Sequence, residues 1–474
     1  MSDVRRVTVV GGGFCGAIFA HHLLRLSRVP VRIDIVDERS RLGAGVAYSA
    51  SGSHQTTNIP SPRMSVFPER PSHFEDWLKG HTGEGPEQAN PYPNRFAFGS
   101  YMDDLVRATV AAHPGSSLHH RRTQVVTLER DRDELLVRAA EGAWAANAVA
   151  LATGNPVPLP PPALAALADD PRVVLDPWSP DALAAVKPTD RVLIVGTGLS
   201  MGEAVAGLRA DGHTGPIVAI ARRGRRPERG LVEAVPPFGD FEAHRPTTAV
   251  ALLQHFRAEI RRAEAAGLSW RPVAVAARAH GWAIWSSLPP SERRRFVRHL
   301  RPFWEALRHV MPGPVHDLLQ AEEEAGTLHV WAASIQSLDA LPDGLYATLH
   351  RRGTPPHISS RERFDVVLNC TGPAYATLTR TDPFWAGLAR AGLVQPDRVG
   401  LGIAVDHLGR ALDSREVAQP DLLVLGTLAR GTFGELTGVA ELSRQARDAA
   451  VALVDSWQSG LSDKAGAQVR EIVQ

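Results

Sequence analysis

Val7-Thr8-Val9-Val10 runs directly into Gly11-Gly12-Gly13-Phe14-Cys15-Gly16, and an apolar-patterned segment follows from Ala17 to Leu26. A short all-apolar run is typical of a buried parallel strand. Glycines at the first, third and sixth positions allow a tight turn, let the backbone approach a pyrophosphate and let the helix pack against the strand. The order of strand, turn and helix therefore predicts a dinucleotide-binding unit, with the phosphates at the helix N-terminus.

The next apolar strand, Val31 to Val36, ends at Asp37. A carboxylate at this place in such a unit binds the ribose hydroxyl groups of the dinucleotide. A glycine motif alone is weak evidence, but here strand, turn, helix, second strand and acid occur in the expected order. The residues predicted for this first site are Gly11, Gly13, Phe14, Cys15, Gly16, Asp37 and Glu38.

The composition limits the class of protein. A chain of 474 residues is too long for one hydrophobic core, so we expect two or three domains. Lys plus Arg (52) nearly equals Asp plus Glu (51), which argues against nucleic acid or an anionic membrane as a partner. The two cysteines, Cys15 and Cys370, lie far apart and outside any C-x-x-C motif. This spacing excludes a disulfide framework and an adjacent dithiol pair.

The beginning of the chain and its hydropathy bear on location. The first predicted strand starts within the first ten residues, which leaves no room for a secretory signal, and no apolar run approaches the length of a membrane span. We therefore expect a cytoplasmic protein with no membrane partner. No metal site is predicted, and no histidine or carboxylate stands out as a catalytic group, so the catalytic residues stay unassigned.

A second signature of the same kind lies in the middle of the chain. Val192 to Val195 is an all-apolar run, and Gly196-Thr197-Gly198-Leu199-Ser200-Met201 forms the turn before a helical segment that continues to Leu208. Met201 replaces the third glycine, so we expect this helix and strand to lie slightly further apart. The residues predicted for the second site are Gly196, Gly198, Leu199, Ser200, Arg222 and Arg223.

Arg222 and Arg223 follow the next strand, Ile217 to Ala221, where the first site has Asp37. A guanidinium pair at the ribose end suits a 2′-phosphate, which a carboxylate would repel. This favours NADPH over NADH, although a chain so rich in arginine can also place arginines there by chance.

An internal repeat relates the two halves. The first copy has a strand from Leu118 to Arg130, a turn at Asp131-Arg132-Asp133, a strand from Glu134 to Ala139 and a strand from Ala146 to Ala152 that ends in Thr153-Gly154. The second copy has a strand from Leu328 to Leu338, a turn at Pro342-Asp343-Gly344, a strand from Leu345 to Arg351 and a strand from Phe364 to Cys370 that ends in Thr371-Gly372. Two matched copies, one after each glycine signature, indicate two related modules.

Two further segments admit two interpretations each. The loop from Asn58 through Met64 to Ser65 is either a plain surface loop or a segment that wraps the cofactor ring. The region from about 247 to 320 reads as a helical insertion, in which Glu292 to Leu307 forms an amphipathic helix that Pro302 kinks. Its arginines Arg294, Arg298 and Arg301 form either a solvated face or part of a lid over an anionic or planar substrate.

These residues resemble the flavoproteins with two dinucleotide-binding domains. Ala152-Thr153-Gly154 is similar to the A-T-G segment of N-hydroxylating and Baeyer-Villiger monooxygenases, although the opening acid and the tyrosine of the fuller hydroxylase pattern are missing. Gly11 to Gly16, the Asn58 to Ser65 loop, Gly196 to Ser200, Asn369 to Pro373 and Gly431-Thr432-Phe433 look like the bacterial family that includes FAD-dependent urate hydroxylase and aspartate N-monooxygenase. The resemblance covers nearly the whole chain.

The resemblance implies an α/β fold with two Rossmann-like domains. It places FAD in the first site and NADPH (or NADH) in the second, and it adds Asn58, Met64, Ser65, Thr153, Gly154, Thr371, Gly372, Thr432 and Phe433 to the cofactor contacts. The implied FAD-binding domain is discontinuous, with parts at 1–165 and 363–474, and the NAD(P)-binding domain spans 175–362 with the 247–320 insertion. A predicted helix from Glu435 to Val451 points its N-terminus at the flavin. Many relatives have Gly-Asp where this chain has Gly426-Thr427.

The implied function is an NAD(P)H-dependent monooxygenase. It would use molecular oxygen, through a flavin peroxide, to hydroxylate a small polar, anionic substrate such as urate or an amino acid amine. One alternative is an NAD(P)H-dependent flavin reductase or electron-transfer flavoprotein, and another is a non-catalytic FAD/NAD(P)-binding redox sensor. The intact second signature favours an enzyme, while the sequence leaves the oligomeric state open.

Overall fold

The computed structural model describes residues 4–49, 52, 54–82, 91–132, 134–179, 181–355 and 357–472. The strands are β1 (Arg5–Val10), β2 (Val31–Val36), β3 (Ser117–Arg121), β4 (Val125–Asp131), β5 (Glu134–Ala139), β6 (Gly142–Ala146), β7 (Ala148–Leu151), β8 (Val173–Val174), β9 (Val192–Val195), β10 (Ile217–Ala221), β11 (Leu328–Leu341), β12 (Gly344–Arg351), β13 (Ser360–Phe364), β14 (Val366–Asn369), β15 (Arg410–Leu412) and β16 (Ala418–Val424). The helices are α1 (Phe14–Leu26), α2 (His73–Thr82), α3 (Arg95–Ala111), α4 (Pro162–Ala165), α5 (Leu199–Ala210), α6 (Ala249–Ala265), α7 (Arg271–Ala279), α8 (Gly281–Ser287), α9 (Pro290–His299), α10 (Arg301–Arg308), α11 (Gly313–Glu324), α12 (Leu378–Thr381), α13 (Pro383–Arg390), α14 (Arg430–Phe433) and α15 (Val439–Ile472). Short 3-10 helices cover Ser61–Arg63, Tyr375–Thr377 and Gly426–Ala429.

The first sheet combines strands from both ends of the chain. Its six strands have the order β15-β16-β7-β1-β2-β3. Strand β1 pairs in parallel with β2 and β7, and β16 pairs in parallel with β7. Apolar side chains of α1, α3 and α15 cover one face, while α13 and the small antiparallel sheet β4-β5-β6 cover the other. The predicted discontinuous Rossmann-like unit is confirmed.

The second sheet repeats this plan. Its seven strands have the order β13-β12-β11-β10-β9-β14-β8, with β9 parallel to both β10 and β14. Helices α5 and α11 pack on one face, and α4 with strands β12 and β13 encloses the other core. Strand β11 is parallel to β10 at its start and antiparallel to β12 from Ala333 onward. The single strand β11 therefore makes both the parallel and the antiparallel pairing that β3 and β4 make separately in the first half.

The repeat differs from its prediction in detail. The predicted strand Leu118–Arg130 is two strands, because the backbone turns at Thr123, whose N–H donates to the carbonyl of Arg121. Each copy also contains a third antiparallel strand, β6 or β13, that the sequence did not indicate. Both are short; in β6 (Gly-Ala-Trp-Ala-Ala) only Ala146 is buried, and in β13 only Phe364 is buried. The predicted turn residue Asp133 lies outside the described residues.

Two predicted boundaries were wrong. Strand β14 pairs with β9, so the chain leaves the second sheet after Asn369 rather than near residue 363. The last helix begins at Val439 instead of Glu435, because Gly434 with φ of 73° ends the short helix α14 before it.

Helices α6 to α10 form the inserted region, and α11 returns the chain to the second sheet. The helix predicted for Glu292 to Leu307 is two helices that meet at Leu300. Pro302 occupies the first turn of α10, where a missing N–H costs no helical hydrogen bond, so the proline starts a helix instead of kinking one. Within the described ranges, no helix combines the length and apolar character needed to cross a bilayer.

Candidate cofactor and substrate site

The first glycine turn joins β1 to α1 at the carboxyl edge of the first sheet. Gly11 has a φ of 102°, and an added Cβ there would overlap the carbonyl oxygen of Ala152, just beyond β7. An added Cβ on Gly16 would overlap the carbonyl oxygen of Gly11. Gly13 lies against a second glycine, with 3.4 Å between its ideal Cβ position and Gly45 Cα. Close backbone approach therefore explains the first and sixth glycines of the motif.

The second turn, between β9 and α5, has the same construction. Gly196 has a φ of 123°, and an added Cβ would overlap the carbonyl oxygen of Cys370, just beyond β14. The Gly196 N–H donates to the carbonyl of Ile220 at 2.8 Å, as the Gly11 N–H donates to that of Val36 at 2.9 Å. An added Cβ on Gly198 would meet nothing within 4 Å. The backbone at Gly198 is thus open to a ligand.

Both helices that follow the turns offer free N-termini. Gly13 caps α1 and Gly198 caps α5, neither helix has a side-chain cap, and neither carries an acid in its first turn. The unpaired N–H groups and the positive end of the helix dipole favour an anion. The residues present at each turn therefore fit a dinucleotide pyrophosphate.

The carboxylate of Asp37 holds the first turn together. Its Oδ2 accepts a hydrogen bond from the Gly12 N–H at 2.8 Å, and its Oδ1 accepts one from the Arg39 N–H at 2.9 Å. Asp37 is buried, while Glu38 beside it is exposed. These contacts show that Asp37 stabilises the glycine turn. That Asp37 or Glu38 binds the ribose of a dinucleotide stays a prediction.

Arg222 and Arg223 lie just beyond β10, at the carboxyl edge of the second sheet. The Arg223 guanidinium carbon is 4.7 Å from the centre of the Phe303 ring, and that of Arg225 is 5.0 Å from it. Phe303 belongs to α10, so the helical insertion contacts the carboxyl edge of the second sheet, where the second nucleotide site is predicted. The sequence did not indicate this contact.

The predicted loop residues differ in their surroundings. Asn58 Oδ1 accepts a hydrogen bond from Arg95 Nη2 at 2.9 Å. Met64 is buried in the first core, and the Ser65 hydroxyl donates to the carbonyl of Arg70 at 2.6 Å. The observed contacts of Met64 and Ser65 serve the fold, and a contact of either with a cofactor remains a prediction.

The segments that follow β7 and β14 lie side by side. Pro158 and Pro373 form an antiparallel bridge, and Asn155 Oδ1 accepts a hydrogen bond from the Tyr375 hydroxyl at 2.7 Å. The Thr427 hydroxyl donates to the same oxygen at 2.7 Å. The left-handed residues Gly154 (φ 79°) and Gly372 (φ 86°) have open space where a Cβ would lie. Thr153 and Thr371 beside them are exposed. The carboxyl edges of the two sheets therefore adjoin each other.

The inserted helices cover the loop after β16. Trp285 Nε1 on α8 donates to the carbonyl of Gly431 at 2.8 Å. The Thr432 hydroxyl donates to the carbonyl of Val405 at 2.8 Å, and Phe433 packs against the second core cluster of the first sheet. The observed contacts of both predicted residues lie within the protein, so their cofactor role remains a prediction.

A charged cluster lies where the insertion meets this loop. Its ion pairs are Arg308–Glu435, Arg278–Glu441, Arg301–Glu305 and Arg430–Glu305. Trp304 Nε1 also donates to Glu435 at 2.5 Å. Burial, reinforced by the charge of Arg308, lowers the pKa of His309 well below its usual value, so this imidazole is neutral at pH 7.

Three buried polar atoms of this charged cluster have no hydrogen-bond partner among the described residues. They are Nη2 of Arg308, Nε of Arg430 and Oε2 of Glu441. Buried donors and acceptors in proteins are normally paired, so two donors and one acceptor left open indicate a polar ligand or bound water. Of the arginines predicted to form a lid, Arg301 belongs to the cluster, whereas Arg294 and Arg298 are exposed and form a solvated face.

Comparison with known protein families supports the prediction of a dinucleotide-binding site at the first glycine turn. Residues 8–156 match the model of a family described as FAD-NAD(P)-binding. This part of the chain is an FAD-NAD(P)-binding segment. It contains the first glycine turn, Asp37 and the Thr153-Gly154 turn. No curated protein matches the chain in sequence.

Solved structures show that the FAD-NAD(P)-binding segment belongs to a larger shared fold. L-lysine 6-monooxygenase from Pseudomonas syringae is 19% identical with a TM-score of 0.63, over 96% of this chain and 99% of that one. Ornithine hydroxylase from Pseudomonas aeruginosa is 16% identical with a TM-score of 0.63, over 96% and 99%. A cadaverine monooxygenase from Erwinia amylovora, bound to FAD, is 12% identical with a TM-score of 0.66, over 95% and 94%. At these identities the likeness establishes the two-domain fold.

Proposed function

We propose that the protein is an NAD(P)H-dependent flavoprotein monooxygenase that hydroxylates a small amine. The observation that carries the proposal is the Asn155–Tyr375 hydrogen bond between the segments that follow β7 and β14. These segments lie at the carboxyl edges of the two sheets, and each sheet has its own glycine turn at that edge. That arrangement supports the proposal, because an electron donor at the second turn and a flavin at the first would then bind at adjoining sheet edges. The similar structures support an amine as substrate, because their names refer to lysine, ornithine and cadaverine. None of these three names refers to a purine, so urate loses support.

Each cofactor has residues that would hold it. The turn from Gly11 to Gly16 and the N-terminus of α1 would bind the FAD diphosphate, and Gly196 to Ser200 with the N-terminus of α5 would bind that of NADPH. Arg222 and Arg223 would pair with the 2′-phosphate of NADPH. Bound FAD supplies the chemistry that passes electrons from NADPH to oxygen.

The charged cluster would bind the substrate. Nη2 of Arg308 and Nε of Arg430 are buried donors that suit a carboxylate, while Oε2 of Glu441 is a buried acceptor that suits an ammonium group. An amine that also carries a carboxylate would complete both kinds of contact. Trp285 and Trp304, held by hydrogen bonds to Gly431 and Glu435, would shield a bound substrate from water. We therefore infer an amino acid amine as the preferred substrate class.

The test is oxygen consumption by the purified protein with FAD and NADPH. L-Ornithine, L-lysine, L-aspartate, cadaverine and urate would each be added while oxygen uptake and hydrogen peroxide are recorded. We expect one amino acid to raise oxygen uptake and to lower the peroxide formed per NADPH oxidised. Turnover that proceeds without oxygen, or acceleration by urate alone, would contradict the proposal.

A matched pair of variants locates the substrate. Arg308→Lys keeps the charge beside Glu435 but removes the planar fork, so the KM for the accelerating amine should rise. Arg294→Lys is the control, because Arg294 is exposed on α9 and its Nη1 donates to the carbonyl of Arg398 at 3.3 Å, outside the charged cluster. Equal KM values for the two variants would show that the substrate does not bind at the charged cluster.

A further inference from the structure

Arg95 is a buried arginine that contacts both halves of the molecule. It is the first residue of α3, and its side chain is 8% exposed. Its Nε donates to the carbonyl of Thr56 at 2.8 Å, and its Nη2 donates to Asn58 Oδ1 at 2.9 Å. The same nitrogen forms an ion pair with Glu203 on α5. One guanidinium therefore joins the loop at Asn58 to the helix that follows the second glycine turn.

The contact extends along one face of α5. Glu203 and Gly207 are four residues apart, so they lie on the same side of the helix. Gly207 meets the ring of His54, whose Nε2 would lie 3.1 Å from an added Cβ. The loop from His54 to Asn58 is thus seated on α5, with a small residue below the imidazole and an ion pair at the end nearer the glycine turn.

The burial of the Arg95–Glu203 ion pair indicates that the pair fixes the relative positions of the segments it joins. The Glu203 side chain is 14% exposed, and desolvation raises the pKa of Glu203 in spite of the neighbouring guanidinium. A buried ion pair often contributes little more stability than apolar side chains of similar size, whereas its directional hydrogen bonds fix one arrangement. The guanidinium also lies over Trp178, 5.5 Å from the ring centre, in the segment between β8 and β9 of the second sheet. Three separate parts of the chain therefore orient a single side chain.

We propose that Arg95 is a positioning residue that couples nucleotide binding at α5 to the conformation of the His54–Asn58 loop. A nucleotide phosphate at the N-terminus of α5 would order that helix, and Glu203, one turn further along, would transmit the ordering to Arg95 and Asn58. The coupling rests on the proposed function only in taking NADPH as the ligand of the second turn. Its consequence would be that the His54–Asn58 loop is held in place when the electron donor is bound.

The test uses the FAD-loaded protein and hydrogen–deuterium exchange with and without NADP⁺. In the wild type, NADP⁺ should slow exchange both in α5 and in the amides of residues 54–58. In the double variant Arg95→Met/Glu203→Leu, which removes both buried charges together, NADP⁺ should still slow exchange in α5 but no longer in the loop. Arg95→Lys is the substitute if the double variant folds poorly, because it keeps a charge beside Glu203 but loses the planar guanidinium. It should likewise abolish the effect of NADP⁺ on exchange in the loop.

Reduction of FAD by NADPH without oxygen gives a second readout. We expect the rate to fall about 10- to 100-fold in the double variant, as loss of positioning does in other enzymes, while reduction by dithionite and FAD content are unchanged. Arg138→Gln is the matched control, since Arg138 pairs with Glu129 on the surface of the small antiparallel sheet. Loop protection that still responds to NADP⁺ without Arg95 and Glu203 would overturn the proposal, as would a wild-type loop that never responds. A responding loop in a protein that no amine accelerates would leave the coupling intact and contradict the proposed monooxygenase instead.

Discussion

Asn155 Oδ1 accepts a hydrogen bond from the Tyr375 hydroxyl at 2.7 Å, although the two residues follow strands of different sheets. The Thr427 hydroxyl donates to the same oxygen, so the loop after β16 joins this contact. Three segments that each follow the carboxyl end of a parallel strand thus converge on one amide oxygen. In open α/β sheets ligands bind at such carboxyl ends. The convergence explains how two separate dinucleotide units form one candidate site.

Gly13→Val should abolish FAD binding while the protein remains folded. The branched side chain would occupy the space where a pyrophosphate approaches the backbone, and it would press on Gly45. The flavin absorbance per chain of the purified variant measures the loss. Gly115→Ala is the control, because an added Cβ at Gly115 meets nothing within 4 Å. Full FAD content in Gly13→Val would show that the flavin lies elsewhere.

Replacement of both Arg222 and Arg223 by Ala should weaken NADPH binding by about 1.5–3 kcal/mol, the range for hydrogen bonds to charged groups. NADH, which lacks the 2′-phosphate, should bind nearly as before. Titration of each nucleotide by its quenching of protein fluorescence measures the difference. Since Arg223 also stacks on Phe303, Phe303→Leu serves as the control for lost stacking. Equal weakening of NADPH and NADH would show that these arginines do not bind the phosphate.

Stability should fall when the pH drops below about 6.5, the usual pKa of histidine. Burial lowers the pKa of His21 to about 3 and that of His22 to about 4, so the folded state stays neutral where the unfolded chain takes up protons. The unfolded state binds more protons in this window, and the free energy of unfolding therefore rises with pH between about 3 and 6.5. Above that range both states are neutral and these histidines contribute no pH dependence.

Urea unfolding at pH 7 and pH 5 measures this dependence. His22→Leu should reduce the difference in unfolding free energy between the two pH values, because it removes a histidine that only the unfolded chain protonates at pH 5. Nε2 of His22 is buried without a hydrogen-bond partner in the described structure, so the substitution removes no hydrogen bond of that atom. His119→Gln is the control, since His119 is exposed on β3. An unaltered pH dependence in His22→Leu would assign the effect to other groups.

The sequence predicted the parts of the fold whose signals are local. Both glycine turns could be found because each requires glycines within a few residues, and Gly11 and Gly196 indeed make the same contact with Ala152 and Cys370. The repeat was visible because the last strand of each copy, β7 or β14, is mainly apolar and is followed within three residues by Thr-Gly. Strand β13, Ser-Arg-Glu-Arg-Phe, escaped prediction because it lies at a sheet edge and buries one side chain.

The candidate site was less predictable, because its contacts join distant parts of the chain. Arg95 and Glu203 are 108 residues apart, and Trp304 and Glu435 are 131 apart. No spacing rule relates such pairs, and in a chain with many arginines the buried ones cannot be told from the exposed ones by sequence. The helical pattern at 292–307 showed two faces, but it gave no sign that Phe303 meets Arg223 at the nucleotide edge.

The last prediction concerns the two cysteines, Cys15 and Cys370. A disulfide reductase needs a pair of reactive thiols beside its flavin, whereas both cysteines are free here and burial raises the pKa of each thiol to about 12. Cys15 packs against Gly426 and Cys370 lies just beyond β14, so both act as small apolar residues. Cys15→Ala and Cys370→Ala together should therefore leave FAD content and NADPH oxidation largely intact.

Alanine is the informative substitution, because serine would bury a hydroxyl group and add a cost of about 1–3 kcal/mol that is unrelated to redox chemistry. The rate of NADPH oxidation, with and without the accelerating amine, would be measured beside the absorbance of bound FAD. The single variants separate the cysteine in the first glycine turn from the one beyond β14. A double variant that keeps its FAD but no longer oxidises NADPH would require a thiol relay, and the electrons would then leave the flavin through sulfur rather than through oxygen.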